Sequence, residues 1–104
     1  MSPSLLCETV IGRTMAELLA ARADATAGDM VELRLDGVRN LDVREALHCR
    51  SRPAIVTVRP VWEGGRFEGS EEDRRTLLAR ALECGAEFVD VEWRAGFADL
   101  IARD

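Results

Sequence analysis

The chain has 104 residues, 47% apolar and 32% charged, which suits one folded domain over residues 1–104 and excludes two domains or a disordered chain. The net charge is −5, and all fourteen basic residues are arginine. Such an acidic chain does not suit a nucleic-acid backbone, and the lack of lysine excludes from this sequence any chemistry that needs a lysine amine.

No apolar run is long enough to cross a bilayer, and Met1-Ser2-Pro3-Ser4 lacks the basic start and apolar stretch of a secretion signal. The expectation is a cytoplasmic protein with neither nucleic-acid nor membrane partner. Cys7, Cys49 and Cys84 are odd in number, far apart and outside any CxxC pair, which argues against a disulfide framework. His48 beside Cys49 is a weak metal signal, because a tetrahedral site needs a second pair of ligands. The plainer reading is a helix-end histidine and a small buried cysteine, and no metal is expected. Cys7 and Cys84 read as core.

In chain order, Leu5 to Val10 is short and apolar, as a strand would be, and Gly12 ends it. Thr14 with Glu17 three residues on is a capping-box pattern. Met15 to Ala27 follows as a helix, with Leu18 and Leu19 on its apolar side and Gly28 as its expected C-cap. Met30 to Leu35 is the second strand, and Asp36-Gly37 a turn. Leu41 to Cys49 is a short helix, capped by Asp42. After Pro53, Ala54 to Val58 is the third strand. Pro60 to Gly69 is a loop carrying Trp62, which reads as packed under that loop rather than covering a site. Ser70 caps a long helix to Cys84, with Asp73 at the capping-box position, and Gly85 stops it. Glu87 to Trp93 is the fourth strand, and Phe97 to Ala102 begins or completes a fourth helix.

Four strand–helix units at a period of roughly 25 to 30 residues predict parallel strands joined by crossover helices. The strands also alternate in polarity. Val31, Leu33 and Leu35 oppose Glu32, Arg34 and Asp36; Val56 and Val58 oppose Thr57 and Arg59; Val89 and Val91 oppose Asp90 and Glu92. A strand inside a doubly wound sheet would be apolar on both faces. One charged face suits the inside of a barrel, with the charges near the C-terminal strand ends where barrel sites lie. An antiparallel sheet with one wet face would alternate in the same way, but the intervening helices argue against it.

Glu32, Arg34, Arg59 and Glu63 stand out. Glu32 and Arg34 leave one face of a strand about 7 Å apart. Arg59 ends the next strand, and Glu63 follows in Trp62-Glu63-Gly64-Gly65. Two guanidiniums and two carboxylates at one mouth suit a small polyhydroxylated acid. They suit a salt-bridge layer equally well.

Three segments carry a resemblance: Leu6-Cys7-Glu8-Thr9-Val10-Ile11-Gly12-Arg13, Val31-Glu32-Leu33-Arg34-Leu35-Asp36-Gly37, and Ile55-Val56-Thr57-Val58-Arg59-Pro60-Val61-Trp62-Glu63-Gly64-Gly65-Arg66-Phe67-Glu68-Gly69. They resemble the first three strands of type I 3-dehydroquinate dehydratases, and Phe88-Val89-Asp90-Val91-Glu92-Trp93 resembles the fourth. The RPxWEGG form is similar to the dehydratase half of the bifunctional enzymes that also carry shikimate dehydrogenase. The resemblance implies an eight-stranded β/α barrel and a lyase of the shikimate pathway. That lyase converts 3-dehydroquinate to 3-dehydroshikimate through a lysine Schiff base, with a histidine as proton carrier and no cofactor. It implies that Glu32, Arg34 and Arg59 contact substrate, that Glu63 orients the catalytic histidine, and that Gly64 and Gly65 bring backbone close to the pocket.

The departures are as specific. The family's lysine and histidine lie on later strands, beyond residue 104. His48 follows the second helix, on the wrong side of a barrel for catalysis. Glu8 stands where a small or apolar residue is expected. A full barrel takes about 250 residues, so the expectation is the first four βα units, a half barrel that is inactive alone. Two copies, or a complementary half-barrel chain, would close its open edges. The alternative is a non-catalytic binding or scaffold half barrel.

Overall fold

The computed structural model describes residues 6–50 and 52–90 and, at Glu63, the backbone alone. The expectations for Val91, Glu92, Trp93 and a helix from Phe97 lie outside the described residues. Four strands, β1 (Cys7–Val10), β2 (Met30–Arg34), β3 (Ala54–Thr57) and β4 (Phe88–Asp90), alternate with α1 (Met15–Asp24), α2 (Val43–Leu47) and α3 (Glu71–Glu83). A single 3-10 turn, Val61–Glu63, interrupts the loop after β3.

The helix starts are set by side chains. Thr14, Asp42 and Ser70 each accept from the amide three residues on, those of Glu17, Glu45 and Asp73, at 3.2, 3.1 and 3.0 Å. Each bond satisfies one of the orphan amides of a first turn. Glu17 returns the favour to the amide of Arg13 at 2.9 Å, one residue earlier than in the usual box. α3 ends in a Schellman motif. Gly85, at φ +99°, donates to the Leu82 carbonyl and Ala86 to that of Ala81. α1 ends three residues before its expected limit. Gly28 is not its cap but part of the loop into β2, where its amide meets the Glu8 carboxylate.

All four strands are parallel and lie in chain order, β1-β2-β3-β4. A doubly wound sheet reverses direction at a switch point; this one does not. Successive right-handed crossovers in one direction put every helix on the same face. The core lies there: Val10, Val31, Leu33, Leu35, Val56 and Val58 pack with Leu18, Val43, Leu47, Leu78 and Ala81. The result is an α/β fold consistent with part of a (β/α)8 barrel.

No described helix lies over the other face. Its rows follow from the register: Thr9, Glu32, Ile55 and Phe88, then Arg34, Thr57 and Asp90 toward the C-terminal ends. Cys7 and Met30 lie below. Phe88 is 52% exposed, and Met30 and Ile55 are half-buried. Cys7 is therefore not core: it sits on the open face of an edge strand. Cys49 is exposed too, and Cys84 is half-buried against the core.

Glu8 belongs to the helix-side face, at the lower end of β1. Its carboxylate accepts from the amides of Ala27 and Gly28 at 3.0 and 3.1 Å. An acid is tolerated there because it satisfies two loop amides that an apolar residue would leave open.

Candidate active site

Glu32 is held by two strands at once. Its Oε1 accepts from the Thr9 hydroxyl at 3.0 Å, and its Oε2 from the Thr57 hydroxyl at 2.9 Å. Thr57 is 2% exposed, so its hydroxyl has little freedom to turn elsewhere. No cation pairs with Glu32 among the described residues. Both oxygens are oriented, and their remaining lone pairs stay available to a ligand's hydroxyls.

Arg34 leaves the same face one step higher. Its Nε and Nη2 meet the two oxygens of Asp36, each at 3.3 Å. The Asp36 side chain is 2% exposed and that of Arg34 26%. Burial pushes the Asp36 carboxyl up. The Arg34 guanidinium and the Arg66 and Arg59 backbone amides outweigh it and hold the group below its ordinary range. Asp36 also accepts from the Arg66 amide at 3.0 Å. It thereby ties the end of β2 to the loop after β3.

Arg59 is looser. Its closest carboxylate is Asp90, 3.7 Å away, with both side chains more than two-fifths exposed. Such a pair contributes little, so the guanidinium can turn to a ligand. The acids of this face therefore pair as Arg34–Asp36 and Arg59–Asp90, not through Glu32.

The loop from Arg59 to Phe67 folds back on itself. Phe67 donates to the Arg59 carbonyl, Val61 to the Phe67 carbonyl, and Gly65 to the Pro60 carbonyl. Gly64 sits at φ +86°, the left-handed region glycine favours. A Cβ on Gly65 would collide with the Arg59 carbonyl. Backbone here packs on backbone, which fixes the turn carrying Glu63; the Glu63 side chain lies outside the described residues. Trp62 is 53% exposed rather than packed under the loop, and its indole N–H donates to Glu71 at 3.4 Å. Glu71 in turn grips the buried Arg74, whose Nη1 reaches the Val58 carbonyl at 3.2 Å. The Arg74 guanidinium and the Trp62 indole lower the Glu71 carboxyl below its usual range.

Arg13, Arg34 and Arg66 line a cavity of about 410 Å³ between the loops after β1 and β2, beside Glu17 and Asp36. The sequence points to Glu32, Arg34 and Arg59 as a set, and the structure puts all three on one face near the C-terminal strand ends. Asp36 is read there as a turn residue and a member of the charged face, not as a partner of Arg34, and Thr9 and Thr57 are not singled out. Their signal is the alternation itself, since they share the period of Glu32 and Arg34. His48 caps the far end of α2, and no group of three or more His, Cys, Asp or Glu residues that could hold a metal occurs among the described residues. No described helix is long and apolar enough to cross a membrane.

A family model described as "Type I 3-dehydroquinase" matches residues 6–102. The bifunctional 3-dehydroquinate dehydratase/shikimate dehydrogenase of Arabidopsis thaliana is 35% identical over 97 residues, which cover 88% of this chain and 16% of that protein. The 3-dehydroquinate dehydratase of Desulfotalea psychrophila is 36% identical over 90 residues, 86% of this chain and 40% of that one. That of Methanothermobacter thermautotrophicus is 37% identical over 100 residues, 91% and 45%. The chain thus spans less than half the length of these relatives. A match over nearly all of this chain, on a sheet of sequential parallel strands with a charged face, shows that the chain belongs to the type I 3-dehydroquinase family.

Proposed function

We propose that this chain forms the substrate-gripping half of a 3-dehydroquinate dehydratase site, a carbon–oxygen lyase acting on a small polyhydroxylated acid. The supporting observation is the open face that Glu32, Arg34 and Arg59 share, on successive rows toward the C-terminal strand ends. In this reading Arg59 and Arg34 donate to substrate hydroxyls, and Glu32 accepts from them through oxygens fixed by Thr9 and Thr57. Glu63 orients an imidazole that takes the proton next to the ketone and then helps the hydroxyl leave. Gly64 and Gly65 keep that turn close to the pocket.

The amine that forms the Schiff base comes from residues outside this sequence, because the sequence contains no lysine. Closing the site requires the later strands, which lie outside this sequence; a second copy of this chain would cover the open edges but bring no lysine. The biosynthetic family supports work in the cytoplasm, with no cofactor. The absence of lysine also favours a second reading, a non-catalytic half barrel that binds such acids or acts as a scaffold.

The test is the rise of dehydroshikimate enone absorbance on adding 3-dehydroquinate. It is run on the purified chain alone and on the chain mixed with the C-terminal half of the Desulfotalea psychrophila relative. The expected result is none alone and turnover in the mixture, abolished by Arg59→Ala. Thermal stabilisation by 3-dehydroquinate without turnover in any mixture would favour the binding module. Neither turnover nor stabilisation would overturn both.

A further inference from the structure

The opposite end of the sheet holds a second cavity, of about 170 Å³, whose walls include Arg22, Ala23, Thr26, Cys49, Arg50 and Arg52. It abuts Val31 near the start of β2, whereas Arg34 ends that strand, so roughly 10 Å of strand separates it from the charged mouth. Three arginines are among its lining residues, and no aspartate or glutamate is.

Each guanidinium is anchored by backbone carbonyls at a helix end. Arg22 Nη1 donates to Ala46 at 2.7 Å, and Arg52 donates to Ala25 and Thr26 at 3.0 and 2.7 Å. Arg50 donates to Leu47 and Gly85 at 2.9 and 2.7 Å, and to Glu87 at 2.6 Å. Carbonyl ends of helices carry only partial negative charge, so these bonds fix the forks without cancelling three full positive charges against the single Glu87. A guanidinium has five N–H donors. Arg22 and Arg52 use a minority of theirs among the described residues, and Arg50 Nε is buried with no acceptor among them. Buried donors are normally paired, so Arg50 carries one donor that the protein leaves unmet.

We propose that this cavity is an anion site that takes a tetrahedral oxyanion, as inorganic phosphate or as the head of a small phosphate monoester. A planar carboxylate is satisfied by one fork. Three forks arriving from α1 and from both sides of residue 51 suit an ion with acceptors on several sides. The volume corresponds to about six waters, room for such an ion with its ester tail leaving through the open side. The chain is acidic overall, so this concentration of positive charge is local and does not reflect general anion affinity. The site is independent of the dehydratase reading.

The test is a titration of the purified chain with inorganic phosphate and, separately, with glycerol 3-phosphate, at constant ionic strength made up with chloride and followed by calorimetry. One saturable site for either ligand is expected; binding of the free ion alone assigns inorganic phosphate as the ligand, and binding of the ester assigns a monoester. Ala23 is exposed on the last turn of α1. Ala23→Glu leaves every arginine bond in place and puts a carboxylate at the cavity, and it should weaken binding by about tenfold or more, while Ala23→Gln retains it. Arg52→Gln should weaken it similarly, with its fold checked by circular dichroism. No saturable binding of either ligand, or binding unchanged in Ala23→Glu, would overturn the proposal.

Discussion

At the scale of single residues, the candidate site depends on groups that touch no ligand. Thr57 is buried and holds Glu32 by one hydroxyl. Thr57→Val keeps the shape and removes the donor, so it should cost about 1 kcal/mol in urea unfolding, with Thr57→Ser close to wild type. Asp36 sets a pH dependence. Its folded carboxyl titrates below the ordinary value of 3.8. Its contribution to stability is therefore complete above about 3.8 and is lost as pH falls through the lower folded value. Asp36→Asn should lower stability at neutral pH by about 2 kcal/mol. It should also flatten the acid limb of the stability curve; an acid limb of unchanged slope would refute this. Glu32, Arg34 and Arg59 are legible in the sequence because charge on alternate residues of an apolar strand is costly and therefore conspicuous. Their holders are not. Period-two alternation gives the face a residue shares, but register decides which cross-strand neighbour it meets. Asp36 looks like half of a turn signal until the loop after β3 is seen to lay the Arg66 amide on its carboxylate.

At the scale of elements, the segment Arg59–Phe67 is the most demanding piece of chain. Gly64 and Gly65 carry different loads, and substitution should separate them. Gly64→Ala forces a side chain into the left-handed region with nothing nearby to hit, at about 1 kcal/mol. Gly65→Ala must displace the Arg59 backbone, so it should cost more, about 2 kcal/mol, and shift the Arg59 amide resonance. Equal costs in thermal unfolding would count against the close packing. The helices were legible from their caps: Thr14, Asp42 and Ser70 all act as read, since a cap needs only one side chain and one amide three residues on. The ends of α1 and α2 were not. Ala-rich sequence carries helix propensity past Asp24, but the chain must turn there to reach β2, and Glu8 holds the amides of Ala27 and Gly28 in that turn. Tertiary demand overrides propensity at such ends.

At the scale of the whole molecule, the sheet is finished on one side and open on the other. The helix-covered face is a closed core, whereas Phe88, Ile55, Met30 and Cys7 leave apolar area uncovered opposite it. β1 is paired only with β2, and β4, over its described residues, only with β3. The purified chain should therefore self-associate, with a mass by light scattering that rises with concentration; a constant monomer mass across the range would sink this expectation. Phe88→Glu should shift the equilibrium toward monomer. The sheet's order has a kinetic consequence as well. Over the described residues every strand pairs only with its neighbours in sequence, with partners 23 residues apart across β1 and β2 and 33 apart across β3 and β4. None of the described strands has to slip between two earlier ones. Folding can therefore keep pace with synthesis, each βα unit docking on the one already made as it leaves the ribosome.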